Sequence, residues 1–211
     1  MYSPRHFEET RPEVLHALVR THPLGLLITQ DTDGGLAANP VPFLLEHGDA
    51  GRAVLRAHVA RANPVWQAAR RDVASLVVFQ GPQAYVSPGW YPSKAEHGKV
   101  VPTWNYVMVQ ARGRLQVHED PAWLLSLVTR LTQRHEAALP APWAVADAPA
   151  DFVDGMLRAI VGIEIPLDAL TGKWKVSQNR SAADRGGVAD GLRAVGGDEA
   201  VNMSKWVQPT G

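Results

Sequence analysis

Leu24-Gly-Leu-Leu-Ile-Thr-Gln30, Asp31-Thr-Asp-Gly-Gly35 and Leu36-Ala-Ala-Asn-Pro-Val-Pro-Phe-Leu-Leu45 read in order as an apolar, partly β-branched strand, a turn, and a second strand. Pro40 and Pro42 lack amide donors at alternate positions, so the second segment is expected at a sheet edge, or with one row of amides not needed for pairing. Its remaining amides are then free for a ligand. Upstream, Thr10 and Glu13 fit a capping box, and Val14, Leu15, Leu18 and Val19 recur at helical spacing as far as Thr21. Downstream, a turn at His47-Gly-Asp-Ala-Gly51 leads into a strand from Ala53 to His58. Asn63 followed by Pro64 then predicts a helix start, with the helix running to Arg71.

Ser75–Gln80 reads as a buried strand, Gly81-Pro82 as a turn, and Ala84–Ser87 as a further strand. Asn105–Val117 alternates, with Tyr106, Met108, Gln110 and Arg112 on one face and Val107, Val109, Ala111 and Gly113 on the other; Gly113 would allow a bend. Asp120-Pro121 caps a helix striped with Leu124, Leu125, Leu127, Val128 and Leu131 and ending near Glu136. A short helix from Asp151 to Arg158 precedes the strand Ile160–Ile165. From Thr171 the chain is glycine-rich and polar, closing with a helix through Ala200, Val201 and Trp206. About six strands in a meander with inserted helices are buried most economically by a closed or nearly closed antiparallel barrel, an α+β chain that is mainly β. The division predicted is a barrel domain over 1–170 with inserted helices, and an extension over 171–211 packing on it and on a partner subunit.

Length and composition remove several chemistries. The 211 residues can bury a full core without staples, and zero cysteines exclude disulfides, thiolate catalysis and cysteine-ligated metal centres. The polar opening MYSPRHFEETRPE has no apolar core of signal-peptide type, so a soluble cytoplasmic protein is expected. Acidic and basic residues balance at 21 each, so no global field draws the chain to nucleic acid. The glycine pairs form neither G-x-G-x-x-G nor a P-loop, and the eight histidines include no H-E-x-x-H, so no metal site is expected.

The densest aromatic run is Tyr85-Val-Ser-Pro-Gly-Trp-Tyr-Pro-Ser-Lys94, resuming as Lys99-Val-Val-Pro-Thr-Trp-Asn-Tyr106. Pro88, Pro92 and Pro102 are expected to hold the backbone extended, so the rings are either a wall for a flat ligand or packing over a sheet end. Tyr91 and Lys94 stand three apart, but Pro92 between them argues against a helical turn that would align them as an acid–base pair. Arg56-Ala-His58-Val-Ala-Arg61-Ala-Asn63-Pro64 places two cations, a titratable ring and a helix start within nine residues. That grouping is either a phosphate seat or an ordinary surface arginine with an N-cap asparagine. A phosphate joined to a flat polar ring suggests flavin mononucleotide, FMN.

His58-Val-Ala-Arg-Ala-Asn-Pro64, Tyr85 to Lys94, Val101-Pro-Thr-Trp-Asn-Tyr106 and Lys173-Trp-Lys-Val-Ser-Gln-Asn-Arg180, with Asp184 and Gly187-Val188, resemble the PaiB-type FMN-binding negative transcriptional regulators. The likeness runs in order over nearly the whole chain. It implies a split β-barrel related to the pyridoxamine-phosphate-oxidase group, a homodimer with FMN at the subunit interface, and a bacterial protein linked to repression of sporulation and extracellular-protease genes in the family's namesake. It places the FMN phosphate at His58, Arg61 and Asn63, the isoalloxazine ring along the backbone from Asn39 to Val41, and Gln110 at the flavin edge. Lys175, Gln178 and Asn179 would close over the site from the partner subunit, the alternative for these three being a solvated loop. Trp90, Tyr91 and Lys94 fall on the substrate side, with Trp104 and Tyr106 packing beneath.

Three function classes follow. One is a flavin-binding regulator of transcription, although no helix carries a basic stripe and Arg180, Arg185 and Arg193 alternate with Asp184 and Asp190. The second is an FMN-dependent oxidoreductase acting on a small molecule. The third is a split barrel holding haem or another flat ligand, with His58 or His97 as axial ligand.

Overall fold

In the computed structural model, which describes residues 1–48 and 51–207, a two-residue strand β1 (Glu8–Glu9) precedes helix α1 (Pro12–Thr21). Glu9 Oε1 accepts from the amides of Thr10 and Arg11 at 3.0 and 2.9 Å, so this carboxylate, not a Thr10/Glu13 box, secures the amides at the helix entry. Strands β2 (Leu24–Gln30) and β3 (Leu36–Pro42) then pair antiparallel, Leu24 opposite Pro42 and Gln30 opposite Leu36. β3 is a sheet edge, as its prolines require. The second strand ends sooner than predicted: Phe43 is buried with its amide donating to Pro23 O at 2.8 Å, and β4 (Leu44–His47) joins a different sheet. The turn expected over His47–Gly51 includes residues 49 and 50, which lie outside the described residues.

The remaining order is β5 (Ala53–Ala60), α2 (Val65–Ala68), β6 (Ser75–Val86), α3 (Ser93–His97), β7 (Thr103–Gly113), β8 (Gln116–His118), α4 (Pro121–Glu136), α5 (Ala150–Arg158), β9 (Ile160–Pro166), β10 (Ala169–Lys175), α6 (Ala182–Val195) and α7 (Asp198–Val207). Helix α2 is half the predicted length, because Asp31 bridges to Ala69 and the Arg70 amide donates to Gln30 O at 2.8 Å, turning the chain back to extended pairing. β6 is one strand through Gly81-Pro82, not two strands and a turn. Gly81 serves close packing there: a Cβ would stand 2.9 Å from Leu18 Cδ1 and 3.2 Å from Val107 O. Gly113 likewise provides room, since a Cβ would lie 2.1 Å from Pro166 O. β7 alternates as predicted, burying Asn105, Val107, Val109, Ala111 and Gly113, but it ends at Gly113 rather than Val117, and Gln116–His118 pairs in the other sheet as β8. α4 is capped by Asp120, whose Oδ2 accepts from the Trp123 amide at 2.8 Å, but its buried stripe is Leu124, Leu127 and Leu131, with Leu125 exposed.

The chain forms two compact units. One comprises Met1–Leu18, Phe79–Gln110 and the chain from Thr171 onward; its strands bond in the order β1, β10, β7, β6. Phe79, Val107, Val109, Val188, Leu192 and Met203 are buried in it. The segment read as a polar tail therefore supplies a paired strand and two helices: Glu8 stands opposite Lys173, and Trp174, Val188 and Leu192 are buried. The other unit comprises Val19–Val78 and Ala111–Leu170 and holds the antiparallel β3, β2, β6 group together with the sheet β4, β5, β9, β8. Leu27, Leu55, Val77, Leu124, Leu127, Ile163 and Ile165 are buried in that unit. No helix among the described residues is long and apolar enough to cross a membrane.

Candidate functional site

The predicted site residues fall into two groups. Asn39, Val41, His58, Arg61 and Asn63 belong to the unit built from Val19–Val78 and Ala111–Leu170. Asn63 caps the turn after β5, its Oδ1 accepting from the Val65 amide at 3.0 Å, while its Nδ2 donates to Asn39 Oδ1 at 3.0 Å. The edge strand β3 is thereby tied to the end of β5. Val41 is in the core at 3% exposure, which leaves only its backbone to meet a ligand. His58 Nδ1 is buried without a hydrogen-bond partner, and burial lowers the imidazole pKa from its ordinary value of 6.5.

Arg61 lies two residues before Asn63 in the same turn. Its Nη1 donates to Glu119 Oε2 at 2.6 Å, Nε to Arg158 O at 2.9 Å and Nη2 to Ile160 O at 3.1 Å. Three of the guanidinium's five N–H groups are thus engaged within the fold and two remain. The helix that follows is only four residues long, so it contributes little dipole, and the side chains carry the electrostatics. The second Nδ2 hydrogen of Asn63 and two N–H groups of Arg61 are donors of the kind a phosphate takes, whereas His58 Nδ1 has almost no surface open to a ligand.

Gln110, Lys175, Gln178, Asn179, Trp90, Tyr91 and Lys94 belong to the other unit. Lys175 Nζ donates to Thr103 Oγ1 and to Trp104 O, and burial, followed by the charges of Lys173 and Arg180, lowers its pKa. Ser177, at φ +65°, is the one non-glycine residue with positive φ among the described residues. Its Oγ accepts from Asn105 Nδ2 at 2.9 Å, both residues being buried. Gln178 closes the same loop, accepting from the Val176 amide at 2.8 Å and donating to Trp174 O. The loop from Lys175 to Gln178 is therefore held by its own bonds, whereas Asn179 is exposed. Gln110 is half-buried on β7.

The aromatic run is not extended as the sequence suggests. Ser87 Oγ accepts from the Gly89 amide at 3.1 Å, a 3-10 turn covers Pro88–Trp90, and Pro92, in the helical region, starts α3. Proline is tolerated at these positions because a helix start has no use for its missing amide. Lys94 N donates to Tyr91 O at 3.0 Å, so Pro92 does not prevent the turn linking them, yet Tyr91 is 2% exposed while Lys94 is open to solvent. The Tyr91 ring lies 4.9 Å beneath the Arg180 guanidinium, and burial raises the pKa of its hydroxyl against the lowering effect of that charge. Asp184, buried on α6, accepts from Ser93 N at 3.1 Å and Ser93 Oγ at 3.0 Å. Trp104, expected beneath the site, is instead 49% exposed, edge-on to Tyr85 at 6.1 Å. Tyr106 lies under the Lys173 ammonium, 5.3 Å away. Arg180, Ser93, Ser177 and Asn105 carry these networks without being singled out by spacing, because their partners are rings or lie far along the chain.

The chain belongs to the family described as Putative FMN-binding domain, whose profile matches residues 1–169. It is 31% identical over 255 residues to an uncharacterised protein of Aspergillus fumigatus, covering 100% of this chain and 98% of that one. It is 27% identical over 208 residues to the protease synthase and sporulation protein PAI 2 of Bacillus subtilis, covering 99% and 97% respectively. Among solved structures, the FAD and haem binding protein from Mycobacterium smegmatis aligns with a TM-score of 0.57 at 19% identity, over 90% of this chain and 80% of that one. The fold is that of the FMN-binding split barrels, α+β with antiparallel sheets.

Proposed function

We propose that the chain binds FMN and serves as a flavin-dependent regulator of the PAI 2 type, working without direct contact to DNA. The observation that carries the binding is the Asn39–Asn63 hydrogen bond, which joins a strand edge to the turn that carries Arg61, whose guanidinium retains two unspent N–H groups. Arg61 and Asn63 hold the phosphate, and the β3 backbone from Asn39 to Val41 lies along the ring. Bound flavin supplies reversible one- and two-electron chemistry. The likeness to PAI 2 over nearly full length supports the regulatory role. Arg185 and Arg193 share α6 with Asp184 and Asp190, and Arg193 pairs with Asp190 at 2.7 Å, which suits a helix that does not read DNA.

The active species is a homodimer joined through β2 and β3. The register puts Leu24, Leu26, Leu36, Ala38, Pro40 and Pro42 on one face, where the three leucines are 63%, 39% and 77% exposed. An apolar sheet face of that extent marks an interface.

Mass spectrometry of the ligand released from purified protein tests the reading. FMN is expected; haem, or no ligand with no flavin uptake on reconstitution, overturns it. Glu119→Gln releases Arg61 from its carboxylate, so FMN affinity is expected to rise, and Arg61→Lys to lower it. Unchanged affinity in both variants removes Arg61 from the site. Bleaching of the bound flavin by NADPH at a catalytic rate, with turnover of a small molecule, would replace the regulator with an FMN-dependent oxidoreductase.

A further inference from the structure

A groove of about 580 Å³, the size of a small-molecule site, opens in the unit that contains the aromatic run. Tyr85 from β6, Trp104 from β7 and Trp90 from the 3-10 turn line it, with Leu192 and Val195 of α6 opposite and the start of α7 at its rim. Two of the three rings are braced. Gly187 and Gly191 of α6 leave the space that Trp90 fills, a Cβ at Gly191 standing 2.3 Å from the indole. Trp104 Nε1 donates to Gln83 Oε1 at 3.2 Å, and the Gln83 amide donates to Glu199 Oε2 at 3.0 Å. Tyr85 and Trp104 nevertheless remain 48% and 49% exposed. Rings fixed by hydrogen bonds and close packing, yet open on one side, present a surface that is already organised for a ligand.

The charge of the groove narrows the ligand. Asp198 and Glu199 are the charged side chains among its described lining residues, with no lysine, arginine or histidine. Two carboxylates outweigh the roughly half unit of positive charge that a helix start contributes. We propose that this groove binds a small organic cation bearing a quaternary or alkylated ammonium. The electron-rich faces of Tyr85, Trp90 and Trp104 attract such a cation without a hydrogen bond, and Asp198 and Glu199 neutralise it at the rim. An inorganic cation or a protonated primary amine would give up more hydration to enter; a methylated ammonium gives up little. None of the residues proposed to hold the flavin lines this groove, so binding there does not depend on flavin.

The experiment is calorimetric titration of the full-length protein with choline and with its uncharged carbon isostere, 3,3-dimethylbutan-1-ol. Choline is expected to bind about tenfold more tightly, the scale of a desolvated cation–π contact. Trp104→Ala and Glu199→Gln should each weaken choline binding several-fold while leaving the far-ultraviolet circular dichroism unchanged; the carboxamide introduced by Glu199→Gln retains an oxygen to accept from the Gln83 amide. Equal affinity for the two probes would show an apolar groove with no preference for charge and would overturn the proposal. So would absence of choline binding, or choline binding that neither substitution alters.

Discussion

Neighbouring glycines in α6 offer a test in which the same substitution acts in opposite directions. Gly186 and Gly187 are both interior to the helix, so replacing either by alanine brings the same propensity gain of about 0.5–1 kcal/mol. Their surroundings differ. A Cβ on Gly186 meets nothing within 4 Å. A Cβ on Gly187 would stand 2.1 Å from the carbonyl oxygen of Trp90 and 3.1 Å from Pro92 Cδ. Ordinary contact begins at 3.4 Å, so the 3-10 turn or α6 would have to retreat by more than an ångström, and the atom in the way is backbone that no rotamer change can move. Overpacking of this kind costs about 1–3 kcal/mol. Gly186→Ala is therefore expected to stabilise the protein by about 0.5–1 kcal/mol. Gly187→Ala should fall below it by the clash alone, about 1–3 kcal/mol. Because the propensity terms cancel, the difference between the two variants isolates the packing of Trp90 against α6. Urea titration followed by circular dichroism, comparing midpoints at a common slope, measures it. Equal midpoints for the two variants would refute the placement of Trp90 against the helix.

Acid sensitivity follows from His58. Its folded pKa lies below 6.5 because burial disfavours the imidazolium, so the unfolded chain takes up the proton first and stability falls as pH drops below 6.5, levelling off beneath the folded pKa. Each pH unit inside that window costs at most about 1.4 kcal/mol, and His58→Gln should lose measurably less stability than wild type between about pH 7.5 and 5.5 in urea titrations. Parallel pH profiles would show that His58 protonates freely in the fold. At the proposed dimer seam, Leu24→Lys and Leu36→Lys put a charge on the exposed β2/β3 face and should give folded monomers by light scattering; a wild-type monomer, or a dimer surviving both changes together, would refute that seam.

What could be read from the residues alone was local in origin. The alternation along β7, the Asp120 cap and the edge position imposed by Pro40 and Pro42 depend on neighbours a few residues away, and all three hold; Asn63 accepts from the Val65 amide, but the cap position itself falls on Pro64. The misreadings have partners far along the chain. Gly81-Pro82 has the composition of a turn, but the reason for the glycine, Leu18 of α1, is a tertiary neighbour. α6 has the composition of a polar loop because Gly187 and Gly191 depress its helix propensity, whereas both make room for Trp90, which lies far earlier in the sequence. Asp184 sits buried in that helix because Ser93 satisfies both carboxylate oxygens. Arg61 reads from its context as a free cation, and only the fold brings Glu119 and two carbonyls to it.

The strand β10 stands between β1 and β7, while the profile that defines the family stops at residue 169. On the ribosome, β1 and α1 emerge early and their sheet partner much later. Gly172 packs on Leu15, and Glu8 finds Lys173, only after nearly all of the barrel has been synthesised. Until then the apolar face of α1 lacks that part of its cover, so this unit closes late in translation or after release. A gene fragment cut at the family boundary would leave that closure undone, and recombinant versions of the chain should retain β10, α6 and α7.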